Sequence, residues 1–119
     1  MTQYLFIGYP KCETCVKARK WLEDNSIDFV CRNIVDTPPT AKELNKWQKQ
    51  SGLPLKKFFN TSGLVYKELK LKDKISELND KEKLNLLASN GMLIKRPILV
   101  GENIVLLGFK PSEWEKIKS

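Results

Sequence analysis

The sequence predicts an α/β fold: a mixed four-stranded sheet made from a β-α-β opening and a later β-hairpin with a closing helix, separated by a helical insert. Three observations predict it. Short apolar runs bounded by turn-forming residues occur near both ends of the chain, at Tyr4–Gly8, Ile27–Ile34, Arg96–Val100 and Ile104–Gly108. A helical pattern separates the first two runs. Between about residues 40 and 90 the apolar residues follow helix spacing, punctuated by caps and breakers, with no alternation of the kind a strand needs. The expected organisation is one domain over 1–119, with a core of 1–36 and 92–119 and an insert at about 40–90. A chain of 119 residues, 41% of them hydrophobic, can bury a core without disulfides or metal to hold it.

Tyr4-Leu5-Phe6-Ile7-Gly8 is apolar and aromatic-rich, as a buried strand is. Val16, Ala18, Trp21 and Leu22 then fall at helical spacing, and Asn25-Ser26 stops the helix before the second strand. Thr37-Pro38-Pro39-Thr40 breaks the chain. Thr40 with Glu43 three residues on has capping-box spacing for a helix bearing Leu44 and Trp47, which Gly52-Leu53-Pro54 ends. Short helical pieces follow at 55–59, 64–70 and 79–89. Arg96–Val100, the turn Gly101-Glu102-Asn103 and Ile104–Gly108 read as a β-hairpin, and Lys110-Pro111-Ser112-Glu113-Trp114 opens a final helix with Pro in its first turn. Trp21, Trp47 and Trp114 fall on apolar helical faces and are expected in the core.

No apolar stretch approaches the roughly 20 residues of a membrane span, and the first residues lack the basic start of a signal peptide, so a cytoplasmic protein without membrane contact is expected. The net charge of +7 is concentrated in the middle, where residues 40–90 carry eleven Lys against six Asp and Glu. Such a segment can meet an acidic partner, or it can be a solvated helical surface, the expected role because Lys is an ordinary surface helix former and Arg is absent there. Direct sequence-specific binding of nucleic acid is not expected.

Cys12 and Cys15 lie where the first strand feeds the first helix. Cys12 at the helix N-terminus meets unpaired N–H groups and the positive dipole end, which favour a thiolate, and Cys15 one turn later is within reach for disulfide closure. In a reducing compartment such a pair is redox-active or ligating, not a structural staple. The chain has no histidine, so a Cys-His dyad is impossible and activation of Cys12 has to come from the helix terminus, Lys11 and the partner sulfur, together with whatever the rest of the fold brings to it. No metal is expected: one CxxC with a lone Cys31 is one ligand short of a closed zinc site. Cys31 alternates with Phe29 on the second strand and is expected to be a small buried hydrophobe.

Gly8-Tyr9-Pro10-Lys11-Cys12-Glu13-Thr14-Cys15, then Lys17–Leu22, a helical insert, Lys95-Arg96-Pro97-Ile98 and Val105-Leu106-Leu107-Gly108-Phe109, in that order and at those separations, resemble the ArsC/Spx family. That family has the thioredoxin and glutaredoxin fold and groups glutaredoxin-dependent arsenate reductases with regulators of the Spx and MgsR type. The resemblance implies that Cys12 is the attacking cysteine and Cys15 the second cysteine of the redox-switch members. It also implies that Arg96 holds an oxyanion or sulfur species beside the active sulfur, and that Pro97, usually cis in this fold, faces the site. Lys11 and Asn60 complete the expected binding residues. Arsenate enzymes of the family carry further arginines where this chain has Asn60 and Leu107, so most of the oxyanion clamp is missing. The phosphatase-type arsenate reductases are excluded, because Arg19 lies one residue too far from Cys12 for a C-x5-R loop. Gly52 resembles the glycine by which Spx contacts the C-terminal domain of the RNA polymerase α subunit, although a glycine there also ends a helix. A chain that ends close to the end of the fold is expected, without the longer tail through which Spx is degraded.

The reading that follows is a thiol-disulfide oxidoreductase acting on a thiol, disulfide or oxyanion substrate. It has no bound cofactor and takes electrons from glutathione with glutaredoxin, or from thioredoxin. The alternative is a redox-sensing regulator of the Spx and MgsR type. In it the same pair closes under oxidation and biases a surface that includes Gly52 toward the C-terminal domain of the RNA polymerase α subunit.

Overall fold

The computed structural model describes residues 3–117, which divide into two compact units: the chain up to Asn33 together with that from Arg96 onward, and Ile34–Lys95. The first unit holds the sheet. Strand β1 (Tyr4–Gly8) is central, paired in parallel with β2 (Phe29–Asn33) and antiparallel with β3 (Ile98–Val100), which pairs antiparallel with β4 (Val105–Leu107). The order is β2-β1-β3-β4, the mixed four-stranded sheet that the sequence predicts.

Helix α1 (Glu13–Asp24) crosses over between β1 and β2. It buries one stripe, Cys15, Ala18 and Leu22, at the i, i+3, i+7 positions of a single face. Asn25 ends it by donating from Nδ2 to the Trp21 carbonyl at 2.8 Å. The core beneath joins Phe6 and Leu99 to Leu106 and Trp114, and its aromatic rings meet edge to face: Trp114 lies 5.0 Å from Phe109, 5.9 Å from Trp21 and 6.5 Å from Phe6. The Trp114 indole N–H donates to the Gly108 carbonyl at 3.1 Å, so the ring is buried with its one polar group satisfied. Strand β3 starts at Ile98, later than the apolar run suggests, since Pro97 has no N–H to give a ladder.

The second unit is helical. Helix α2 (Ala41–Ser51) carries the predicted capping box, in which Glu43 N–H donates to Thr40 Oγ1 at 3.1 Å and Thr40 N–H donates to Glu43 Oε1 at 3.0 Å. A 3-10 turn over Leu55–Phe58 is followed by α3 (Leu64–Glu68) and α4 (Leu71–Lys74). A second 3-10 turn at Ile75–Glu77 leads to α5 (Asp80–Ser89). The pieces expected at 55–59, 64–70 and 79–89 are present, whereas Leu71–Glu77 and the 3-10 turn at Gly91–Leu93 lack a readable sequence signal because each is built of single turns. A second capping box, Asn79 with Glu82, starts α5. Leu44, Trp47, Phe58, Phe59, Tyr66 and Leu87 form the buried interior of this unit. Phe58 and Asn60 clip to the segment after α5, with Asn60 N–H on the Leu93 carbonyl at 2.7 Å and Lys95 N–H on the Phe58 carbonyl at 2.8 Å. Beyond Trp114, which closes α6 (Pro111–Trp114) in the first unit, the described chain finishes in a 3-10 turn at Glu115–Ile117. Among the described residues no helix is long and apolar enough to cross a membrane.

Candidate active site

Strand β1 delivers the chain to the start of α1 through a tight turn, closed by Cys12 N–H donating to the Tyr9 carbonyl at 3.0 Å. Cys12 is the N-cap, with extended backbone angles of −92° and 117°, and its carbonyl accepts the first helical bond from Val16. Its side chain makes no cap bond, which leaves the thiol half-buried at the positive end of the helix. Three residues on, Cys15 lies on the buried stripe of α1 at 3% exposure and accepts a hydrogen bond from the Tyr9 backbone N–H at 3.4 Å. Gly8 makes this approach possible. A methyl group there would sit 2.9 Å from the Phe6 ring and 3.2 Å from Cys15 Sγ, closer than side-chain carbons pack.

Arg96 comes to the same place from the other half of the first unit. Its guanidinium lies over the Tyr9 ring, 5.5 Å from the ring centre, and hydrogen-bonds the Cys12 thiol. The Arg96–Pro97 peptide is cis and Pro97 is buried, its carbonyl accepting from Gly108 N–H at 2.8 Å. That bond ties the backbone beside Arg96 to the end of β4.

The two thiols are driven apart in acidity. For Cys12, burial works to raise the pKa. The Cys15 backbone N–H, the Cys15 thiol and the Arg96 guanidinium outweigh it and hold the pKa below the ordinary thiol value of 9.0. For Cys15, burial dominates and the negative charge on Cys12 adds to it, so the pKa is pushed up to about 12 despite the Tyr9 N–H and the Arg96 charge. One sulfur is an accessible nucleophile, and the other is a buried proton-bearing partner.

Of the other predicted site residues, Lys11 is exposed on the turn and is not among the groups acting on the Cys12 thiol. Asn60 belongs to the helical unit, where its Oδ1 accepts from Ser62 Oγ at 3.2 Å inside the Asn60–Gly63 turn. Gly52 is the C-cap of α2 in the left-handed region, φ 70°, exposed, with nothing within 4 Å of where a Cβ would be. Leu107 is buried in β4 and offers no donor to an anion. Cys31 corrects the sequence expectation of a small buried hydrophobe. It is exposed, because β2 is an edge strand and the space between Cys31 and α1 is an open cleft. Sequence reasoning missed Tyr9, which serves both cysteines' surroundings, through its backbone N–H to Cys15 and its ring under Arg96. Its one sequence signal is an aromatic residue two positions before the turn lysine. Among the described residues no group of three or more Cys, Asp or Glu side chains is gathered to hold a metal ion.

The family model described as ArsC family matches residues 7–117. The structure of an ArsC family related protein from Bacteroides fragilis is 57% identical, superimposes with a TM-score of 0.94 and covers 97% of each chain. That of a protein described as a possible arsenate reductase from Streptococcus mutans UA159 is 44% identical with a TM-score of 0.87, covering 97% of this chain and 99% of the other. The regulatory protein MgsR of Bacillus subtilis is 31% identical over 97% of this chain and 90% of its own.

Proposed function

The chain belongs to the ArsC family, and on that premise we propose that it is a thiol-disulfide oxidoreductase in which Cys12 attacks and Cys15 resolves. The observation that carries this reading is the opposite displacement of the two thiols around one arginine, Cys12 below the ordinary value and Cys15 at about 12. In the first step the Cys12 thiolate attacks one sulfur of a disulfide substrate. A Cys12–substrate bond forms, the substrate's own S–S bond breaks, and the leaving thiolate takes a proton from water. In the second step Cys15 gives up its proton and attacks Cys12 Sγ, which releases the second substrate thiol and leaves a Cys12–Cys15 disulfide. Two electrons have then passed to the substrate. A donor dithiol of the thioredoxin type, or two molecules of glutathione with glutaredoxin, returns them, and a reducing compartment such as the cytoplasm supplies both.

Arg96 serves the first step by favouring the Cys12 thiolate as attacker. An arsenate substrate fits less well: Asn60 is engaged in its own turn and Leu107 is buried and apolar, so Arg96 and the α1 N-terminus would have to neutralise the oxyanion. The test is steady-state reduction of a mixed-disulfide substrate with glutathione or thioredoxin as donor, with arsenate in parallel and Cys12→Ser as blank. Sustained Cys12-dependent turnover is expected. A single stoichiometric oxidation without turnover would instead support a second reading, a redox-sensing regulator. The likeness to MgsR over most of both chains favours it, as does the exposure of Gly52 with open space around it. In that reading the Cys12–Cys15 disulfide changes affinity for the C-terminal domain of the RNA polymerase α subunit, and a pull-down with oxidised and reduced protein tests it.

A further inference from the structure

The open cleft between α1 and β2, about 470 Å³ in volume, reaches the turn that presents Cys12, since Tyr9 and Pro10 of that turn help to line it. Consecutive Cα atoms lie about 3.8 Å apart, so the Pro10 Cα is at most about 7.6 Å from that of Cys12, and Val16 follows Cys12 by one helical turn. The inner surface of the cleft is apolar, with buried Phe6 and Cys15, and Gly8 adds no side chain to fill it. Val16 lines it too and is 55% exposed, an aliphatic side chain left in solvent beside the reactive turn. Pro10 and Val16 also line a second hollow, with Glu13 and Lys17, so the two hollows share an apolar ridge at the start of α1.

We propose that this cleft is a subsite for the disulfide substrate and takes an apolar side chain about two residues from the substrate's cysteine, so that the substrate class is a peptide or protein disulfide with aliphatic or aromatic neighbours. The inference rests on the reading of Cys12 as the attacking thiol. Two extended residues span about 7 Å, which matches the separation between Cys12 and the wall at Pro10 and Val16. The cleft volume is within the range of small-molecule sites, ample for one aromatic or aliphatic side chain. Burial of that side chain against Phe6 and Val16 holds the substrate disulfide at the Cys12 sulfur and so speeds the attack.

The probes are two peptides, Leu-Ser-Cys-Ser-Leu and Asn-Ser-Cys-Ser-Asn, each joined through its cysteine to thionitrobenzoate; their symmetry covers both chain directions. The Cys12 thiolate attacks the peptide sulfur: a Cys12–peptide disulfide forms, the bond to thionitrobenzoate breaks, and thionitrobenzoate leaves with the electron pair as a coloured thiolate whose absorbance gives the second-order rate. The reference protein is Cys31→Ser, which removes the exposed thiol of the cleft wall. In it the leucine peptide should react about tenfold faster than the asparagine peptide. Val16→Gln, on the α1 wall, and Cys31→Trp, which fills the cleft from β2, should each bring the ratio of the two rates close to one, while Val16→Leu keeps it. Both positions are exposed, so the fold tolerates the changes. A ratio near one in the reference protein, or a ratio that survives either Val16→Gln or Cys31→Trp, overturns the inference. Absence of any attack by Cys12, on bis(2-hydroxyethyl) disulfide as well as on the peptides, overturns the oxidoreductase reading and the inference together. Attack on the small disulfide with no preference between the peptides overturns the inference alone.

Discussion

The backbone N–H of Tyr9 donates to Cys15 Sγ at 3.4 Å while the ring of the same residue lies under Arg96, the cation that faces Cys12. One residue thus holds the buried thiol in place and supports the charge that activates the half-buried one. The consequence is a pair with divided labour, and it can be measured.

Iodoacetamide at neutral pH should label Cys12 far faster than Cys15, since alkylation follows the thiolate fraction and a thiol at about 12 has almost none at pH 7. Cys12→Ser removes both the hydrogen bond and the charge that help raise Cys15. In that variant the Cys15 pKa should fall from about 12 but stay above 9.0, because burial is the larger cause. Alkylation rates followed by mass spectrometry from pH 6 to 11 read both values. Faster labelling of Cys15 than of Cys12 in the wild type would reverse the assignment of attacker and resolver.

Arg96→Lys keeps the charge but loses the planar donor fork and its stacking on Tyr9; Arg96→Met loses charge as well. The Cys12 pKa should rise in both, more in Arg96→Met. If the loss is about one pKa unit, the thiolate fraction at neutral pH falls about tenfold, and the second-order rate with a disulfide falls somewhat less, since a more basic thiolate is a better nucleophile. Far-ultraviolet circular dichroism should not change. Equal rates in wild type and Arg96→Met would remove Arg96 from the chemistry.

The raised Cys15 pKa also has a stability consequence. The folded value lies above the unfolded one of 9.0, so the protonated thiol's contribution is complete below pH 9 and is lost as pH rises toward 12. Cys12 has the opposite sign: its folded value is depressed, so its contribution is present above pH 9 and lost as pH falls through the folded value. Urea unfolding of the reduced protein should therefore show the stability advantage of wild type over Cys15→Ser shrinking from pH 9 upward. For Cys12→Ser the wild-type advantage should grow as pH rises toward 9. Parallel pH curves for all three proteins would contradict the arrangement of charges around the pair.

Much of this is legible in the sequence, for reasons that differ by element. Four apolar runs with turn residues between them define a four-stranded sheet, because strand pairing follows from burial of both faces at β1 and from the hairpin spacing at β3 and β4. Thr40 with Glu43 announces α2 because a capping box is a local device. Leu71–Glu77 has no such device, and its turns form where Leu71 and Ile75 are buried, a tertiary effect. The alternation of Cys31 with Phe29 misleads, because it specifies a face of the strand but not whether that strand lies at the sheet's edge. At the site, Cys12, Cys15 and Arg96 are readable from motif and resemblance. The role of Tyr9 is not, since it rests on a backbone N–H and on a ring brought under an arginine 87 positions away in the chain.

Gly52 separates the two functional readings. At φ 70° any other L-residue costs about 1 kcal/mol, yet the space where a side chain would go is open. Gly52→Arg should therefore fold, with a urea midpoint lowered modestly and the alkylation rate of Cys12 unchanged. If the protein is a regulator, this bulky exposed cation should abolish capture of the polymerase α subunit's C-terminal domain by the oxidised protein, while Gly52→Ala retains part of it. If it is an oxidoreductase, disulfide-reduction turnover should be equal in Gly52→Arg and wild type. Loss of capture with turnover absent from the wild type would decide for the regulator, and unchanged turnover with no capture by any variant would decide for the enzyme.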